Sequence, residues 1–195
     1  MESQSAPPRK SARDRLLAAA DELFYENCIN LVGIDRVIEH AGVAKASLYD
    51  CFGSKEELIR AYIKGRAEKR QARIGGRIAS HTAPRDKILS VFDLLAETVS
   101  QNNYRGCAFQ RASAEAGVSS VIKGACDESR AWLRSQFTDL ARQVEAVDPE
   151  LLGRQLVFLY DGAALAAYVD GDRDAPKAAR GLAEQMLPQP KRSAA

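Results

Sequence analysis

The sequence predicts an all-α fold, on three observations. Apolar residues recur at three- and four-residue spacing along almost the whole chain. No β-branched run alternates with period two over the length of a strand. The breaks between periodic stretches carry helix punctuation, with Ser, Thr or Asp ahead of a helix and Gly or Pro behind it.

The elements follow in order. Residues 1–10, MESQSAPPRK, are polar and proline-containing and are expected to be a disordered tail. A first helix starts near Ser11, whose hydroxyl can accept an amide proton, with Asp14 favouring the positive helix end. Leu16, Leu17, Ala20, Leu23 and Phe24 form its apolar stripe. A second helix spans about 34–41, with Gly33 at its N-cap and Val37 and Ile38 facing inward. Ala41-Gly42-Val43 is a tight turn, in which Gly42 is free to take a positive φ. A third helix covers about 45–51, with Leu48 facing the core. Phe52 and Gly53 close that unit. A fourth helix opens on the capping box Ser54-Lys55-Glu56-Glu57 and runs to about Arg73, with Gly75-Gly76 marking an approximate domain boundary. A fifth helix, about 84–102, has Thr82 as its cap and Pro84 in its first turn. NNYRGC is a loop. Helices over about 107–115, 119–146, 149–169 and 174–187 complete the chain, and Pro188 and Pro190 end the last one.

Composition narrows the function. The net charge of +2 is too small to argue for nucleic acid by itself, but its distribution is uneven. Between Arg60 and Arg77 stand Arg60, Lys64, Arg66, Lys69, Arg70, Arg73 and Arg77 against Glu68 alone. Arg9, Lys10, Arg13 and Arg15 add to this first third. Such a face suits phosphate, although a solvated basic helix would carry the same charges. The four cysteines, Cys28, Cys51, Cys107 and Cys126, form no CxxC pair, and neither His40 nor His81 adjoins one. No metal and no cofactor are therefore expected. No apolar run is long enough for a bilayer and the start lacks an apolar signal core, so a cytoplasmic protein with reduced thiols and no membrane partner is expected. There is no HExxH, nucleophile elbow, phosphate loop or paired histidine site, and no enzymatic role is expected.

Residues 31–58, LVGIDRVIEHAGVAKASLYDCFGSKEEL, carry the most information. Short helix, tight turn, short helix, aromatic hinge and capped helix are the parts of a helix-turn-helix DNA reader. AGVAKASLYDCFGSKEEL resembles the helix-turn-helix core of the TetR family of bacterial transcription regulators, and RLLAAADELFYENCI resembles that family's first helix. The resemblance covers about residues 11–60, with Ala41-Gly42-Val43, Leu48-Tyr49, Phe52 and Ser54-Lys55-Glu56 in register. RGCAFQRASAE, followed by AWLR and LVFLYDGA, is similar to one branch of TetR-like proteins.

The resemblance implies a TetR-like architecture: a three-helix DNA-binding head at 11–55, helix 54–73 as a connection, a ligand-binding and dimerisation body at 74–188 and a tail at 189–195. It implies a homodimer on a double-stranded DNA operator, released by a small-molecule effector. By position, Lys45, Ala46 and Ser47 would face base edges or nearby phosphates, and Tyr49 and Lys55 would hold phosphates. The chemistry agrees: lysine donates to guanine, a small Ala46 can meet a thymine methyl, and Ser47 can serve either strand. Arg36 is a further candidate for phosphate contact or plain surface. Departures from the family pattern include Ala44 for a capping Ser or Thr, Cys28 for a glycine, and Val32 and Gly33 for hydroxyl residues. Asp50 and Cys51 replace a common His or Tyr. Asp50 is repelled by phosphate unless it accepts from cytosine or pairs with a base-contacting cation.

In the body, Phe92, Tyr104, Phe109, Trp132, Phe137 and Tyr160 are candidates to line a ligand pocket, as is Phe158, or else to be plain core. As a set they suit a small, largely apolar effector, with Gln110, Arg111 and Asp161 as polar anchors. Leu156, Leu159, Ala163, Ala166 and Ala167 mark a stripe on the penultimate helix, and Ala178, Leu182 and Met186 mark one on the last. These predict a four-helix dimer interface, or packing within one subunit. The function read from the sequence is a ligand-responsive repressor on a near-palindromic operator. The alternatives are a helical ligand-binding module that does not bind DNA, and a redox sensor using Cys51 and Cys107.

Overall fold

In a computed structural model, residues 10–117 and 119–189 are described. The tails expected at 1–10 and 189–195, and the stop at Pro190, lie outside these residues except for Lys10 and Gln189. Among the described residues there are nine α-helices, one 3-10 turn at Ile29–Leu31 and no strand.

The first three helices are α1 (Ala12–Glu26), α2 (Ile34–Ala41) and α3 (Lys45–Phe52). Ser11 caps α1 by accepting from the Asp14 amide, and its hydroxyl donates to the Asp14 carboxylate at 2.7 Å. Gly42 ends α2 at φ +60°, a left-handed conformation that glycine adopts at no steric cost, and the chain reverses there into α3. α4 (Lys55–Ala79) follows, capped by the Ser54 hydroxyl on the Glu57 amide at 3.1 Å. The Glu57 carboxylate does not complete the expected box; it pairs with Arg60 at 2.6 Å. Ser54→Ala should lower stability by about 1 kcal/mol, read from the thermal midpoint.

α4 is 25 residues long and runs through Gly75-Gly76, six residues beyond its expected end. The two glycines weaken a helix without breaking it, and Ile74, 1% exposed, anchors this turn in the second core. α5 (Pro84–Val99) is capped by the backbone at Ala83, not by Thr82, because Pro84 occupies the first helical position. α6 (Ala108–Glu115), α7 (Ser120–Gln143), α8 (Pro149–Val169) and α9 (Ala175–Met186) complete the order.

Two apolar cores result. One joins α1–α4 around Leu16, Phe24, Leu48 and Leu58, and takes in Phe109 and Ala112 of α6 and Ile122 and Cys126 of α7. The other joins α5, α7, α8 and α9 around Phe92, Phe137 and Leu156. α4 contributes to both, through Leu58–Ala67 to the first and Ile74 to the second. α7 and α8 pack closely at Gly153, where an added Cβ would lie 2.9 Å from the backbone of Thr138.

Candidate nucleic-acid interface

α3 presents its outer face to solvent because a single residue holds its inner face. Leu48 is 0% exposed, whereas Lys45, Ala46, Tyr49 and Asp50 are exposed and Ser47 is half-buried. Tyr49 stands 47% exposed, so its ring is not packed away on α1. Arg36 on α2 is exposed too. Of the seven expected DNA-contact residues, five in α2 and α3 are thus exposed and Ser47 is half-buried.

The turn that aims α3 is held from outside. Arg15 of α1 donates through Nη1 to the Gly42 carbonyl at 2.8 Å and reaches the Ala41 carbonyl at 3.4 Å. Arg13 lies over the Phe52 ring, 5.2 Å from its centroid, at the other end of α3. Sequence reading counted both arginines only as charge. The helical register of α1 puts them on the side that meets the turn, but which atoms they hold is a property of the packed unit. As expected, Ala44 gives α3 no side-chain cap, and the Ser47 amide bonds the Ala44 carbonyl instead.

Two lysines have partners within the chain. Lys45 pairs with Asp35 of α2 at 2.9 Å, and this hydrogen bond raises the lysine's pKa. Both side chains remain largely exposed, so the pair is weak and easily exchanged. Lys55 does not stand free at the start of α4. Its Nζ donates to the Ile29 carbonyl at 3.1 Å, and burial lowers its pKa while Glu115 opposes that shift. It belongs to a tie between the 3-10 turn, α4 and α6. In the same tie the Asn30 side chain donates to the Glu115 carbonyl at 2.9 Å, and the Ser119 hydroxyl bonds the Glu56 carboxylate.

The expected pocket aromatics divide. Tyr104, Phe109 and Tyr160 line a cavity of about 280 Å³ between α4, α5, the 104–109 segment and α8. Phe92 and Phe137 do not; both are 0% exposed and stack at 5.8 Å in the second core, where Trp132 also packs. Phe158 is 59% exposed and points away from the cavity side of α8. Of the polar anchors, Arg111 is engaged with the carbonyls of Tyr25 and Asn27 at 2.8 and 3.0 Å, closing the end of α1. Asp161 pairs with Arg130 at 2.7 Å, and Gln110 donates to the Asp161 carbonyl. These three hold elements together and do not line the 280 Å³ cavity. What sequence reading missed is the cavity's cationic side, Arg66, Lys69, Arg70 and Arg73, whose three- and four-residue spacing on α4 was legible.

The stripe expected to form a dimer interface is turned inward. Leu156, Ala163 and Ala167 are 0%, 5% and 7% exposed within one subunit, and Leu159, Ala166 and Met186 pack partly against the same core. The outer face of α8 carries Leu151, Phe158, Leu165 and Val169 instead, and α9 adds Leu182 beside Ala178. Leu182, 50% exposed, is the one member of the expected α8–α9 interface set that stays outward; Ala178 is exposed as well.

Cys107 and Cys126 are poorly placed for oxidation. Burial raises the pKa of Cys107, and pushes that of Cys126 up to about 11, which keeps both in the unreactive thiol form. Among the described residues no helix is long and apolar enough to cross a membrane, and no group of acidic, His and Cys side chains could hold a metal ion.

Comparison with known proteins agrees with this geometry. Residues 16–62 match the family described as bacterial regulatory proteins, tetR family. The HTH-type transcriptional activator FasR of Mycolicibacterium smegmatis is 40% identical over 57 residues, 29% of this chain and 26% of that protein. An HTH-type transcriptional regulator of Mycobacterium tuberculosis is 32% identical over 85 residues, 44% of this chain and 42% of that protein. The chain thus spans less than half the length of the curated relatives it matches. A TetR-family transcriptional regulator from Streptomyces coelicolor superposes with a TM-score of 0.84 at 32% identity, covering 90% of this chain and 94% of that one. The reduced form of NemR from E. coli shares the fold, with a TM-score of 0.82 at 22% identity over 93% of this chain and 100% of that one.

Proposed function

We propose that this chain, which belongs to the TetR family of bacterial transcriptional regulators, is a repressor that leaves a near-palindromic operator when a small molecule binds its body. It is a DNA-binding regulator of the helix-turn-helix class. The observation that carries the finer reading is the attitude of α3, fixed inward by Leu48 and outward at Lys45, Ala46 and Tyr49. In a dimer, two such helices enter successive major grooves, roughly 34 Å apart for a one-turn spacing. Lys45, Ala46 and Ser47 read bases, with Asp50 at the edge, while Tyr49 and Arg36 hold phosphates. Release requires a ligand that favours a head separation unsuited to DNA. The test is a gel shift and footprint on the DNA upstream of its own gene, with and without effector. No salt-sensitive protection at a two-fold site would reject the reading.

The Lys45–Asp35 pair gives a sharper prediction. Lys45→Ala should weaken operator binding about tenfold and relax preference at one base pair. Asp35→Asn removes a carboxylate beside the phosphates and frees the lysine, and should tighten binding about threefold. Equal weakening by both substitutions in a titration at fixed salt would contradict the assignment.

A further inference from the structure

The cavity between the two cores is chemically two-sided. Leu94, Leu95, Phe109 and Ala164 give it an apolar wall. From α4 it receives Arg66, Lys69, Arg70 and Arg73, while Asp21 is the one lining carboxylate among the described residues. Asp21 is already engaged, by Arg66 at 2.6 Å and Lys69 at 3.3 Å, and Arg66 also lies 3.7 Å over the Tyr25 ring.

Arg70 and Arg73 are different. Among the described residues neither has a carboxylate at ion-pair distance. Arg70 is half-buried, packed 4.2 Å over Phe109, with Nη2 fixed by the carbonyl and hydroxyl of Ser129 at 2.6 and 2.7 Å. Its Nε–H is buried and has no hydrogen-bond partner among the described residues. Arg73, one turn on, reaches only the Thr98 hydroxyl, at 3.0 Å. Residues three apart share a helix face, so the two guanidinium groups meet the cavity together. Tyr160 lines the same space and feels both positive charges, and burial pushes its pKa up to about 12, so its hydroxyl keeps its proton and can donate.

Among the described residues Arg70 has only the Asp161 carboxylate nearby, which Arg130 already holds at 2.7 Å. Arg73 is exposed beside the cavity, and a guanidinium with free N–H groups is shaped for a carboxylate. We propose that this cavity is the effector site and that its effector is an amphipathic organic anion, a carboxylate held by Arg70 and Arg73 with an apolar body along Leu94, Leu95, Phe109 and Ala164. The inference rests on the ligand-responsive reading above and replaces its largely apolar molecule with an acid. The volume lies just under the roughly 300 Å³ at which pockets for drug-sized ligands begin, so the acid is small.

The test is calorimetric titration of the full chain, without DNA, with 2-naphthoate and octanoate and their neutral amides. Each acid should bind at least about tenfold more tightly than its amide, since the amide forfeits the charge-assisted bonds. Arg73→Gln, at an exposed residue with one hydrogen bond, should narrow the ratio to within about threefold, because the acid loses more than the amide. Arg70→Gln should do the same, with a thermal melt to show that it is folded. Equal affinity for acid and amide, a ratio unmoved by both substitutions, or no saturable binding of either acid overturns the proposal. Because no DNA is present, that failure is separate from failure of the gel shift.

Discussion

Leu165→Asp should turn the dimeric repressor proposed above into monomers and lower its operator affinity about 100-fold or more. The expectation starts from the outer face of α8. Leu151, Phe158, Leu165 and Val169 are spaced by seven, seven and four residues, which places them on one side of a helix. Phe158 and Leu165 are 59% and 51% exposed in the single chain, and Leu182 of α9 is 50% exposed. A patch of this kind marks an interaction surface. Two α8–α9 pairs related by a two-fold axis would cover it as a four-helix seam. Gly162, exposed on the same face, leaves room for close approach. Because the same patch meets itself, one substitution introduces two carboxylates, each desolvated without a partner. A monomer offers the operator one recognition helix and loses the gain from simultaneous engagement. Sedimentation and a gel shift read the two effects. A dimer that survives Leu165→Asp would remove this face from the interface, whereas a monomer that keeps full operator affinity would separate dimerisation from DNA binding.

Gly153→Val should lower stability by roughly 3 kcal/mol, a fall in thermal midpoint of about 6–12 °C for a chain of this size. The reason is the crossing of α7 and α8. A Cβ at this position meets the Cα and amide nitrogen of Thr138 at 2.9 Å and its Oγ1 closer still. Backbone cannot yield as a flexible side chain can, so the helices must part, and the core around Phe137 and Leu156 loosens with them. Gly124→Ala is the matched control. It lies within α7, its added Cβ meets nothing within 4 Å, and it should raise stability by about 0.5–1 kcal/mol. A melt in which both substitutions act alike would show that helix propensity, not crowding, governs position 153.

The helices of the head were legible because their signals are local. Ser11, Gly42 and Ser54 act within four residues of themselves, and Leu48 is the one buried residue of α3. The end of α4 was misjudged because Gly75-Gly76 is unfavourable locally, while the burial of Ile74 that outweighs it involves distant residues. The α8 stripe was misjudged by about one helix face. α8 is apolar on two sides, and its pattern cannot tell which side meets its own subunit. Leu156 and Ala163 face α5 and α7, whereas Phe158 and Leu165 do not. Individual side-chain partners, such as Asp35 for Lys45 or Ile29 for Lys55, depend on how helices meet and leave no mark in spacing. The two-sided cavity lay between these cases. Its cations were visible as a run on α4, and only folding brings them opposite Leu94 and Ala164.

α4 belongs to neither core alone. Its 25 residues make a rod about 37 Å long, at 1.5 Å per residue. Arg73 lies in its second half and Leu58, in the same core as Leu48, near its start, 15 residues or about 22 Å apart. A swing of about 5° pivoting at Arg73 would carry Leu58 through roughly 2 Å. In the dimeric repressor proposed above the excursion would double to about 4 Å between the two reading helices, a third of the ~12 Å width of a major groove. On that proposal, a displacement too small to disturb side-chain packing near an acid would put both heads out of step with a duplex.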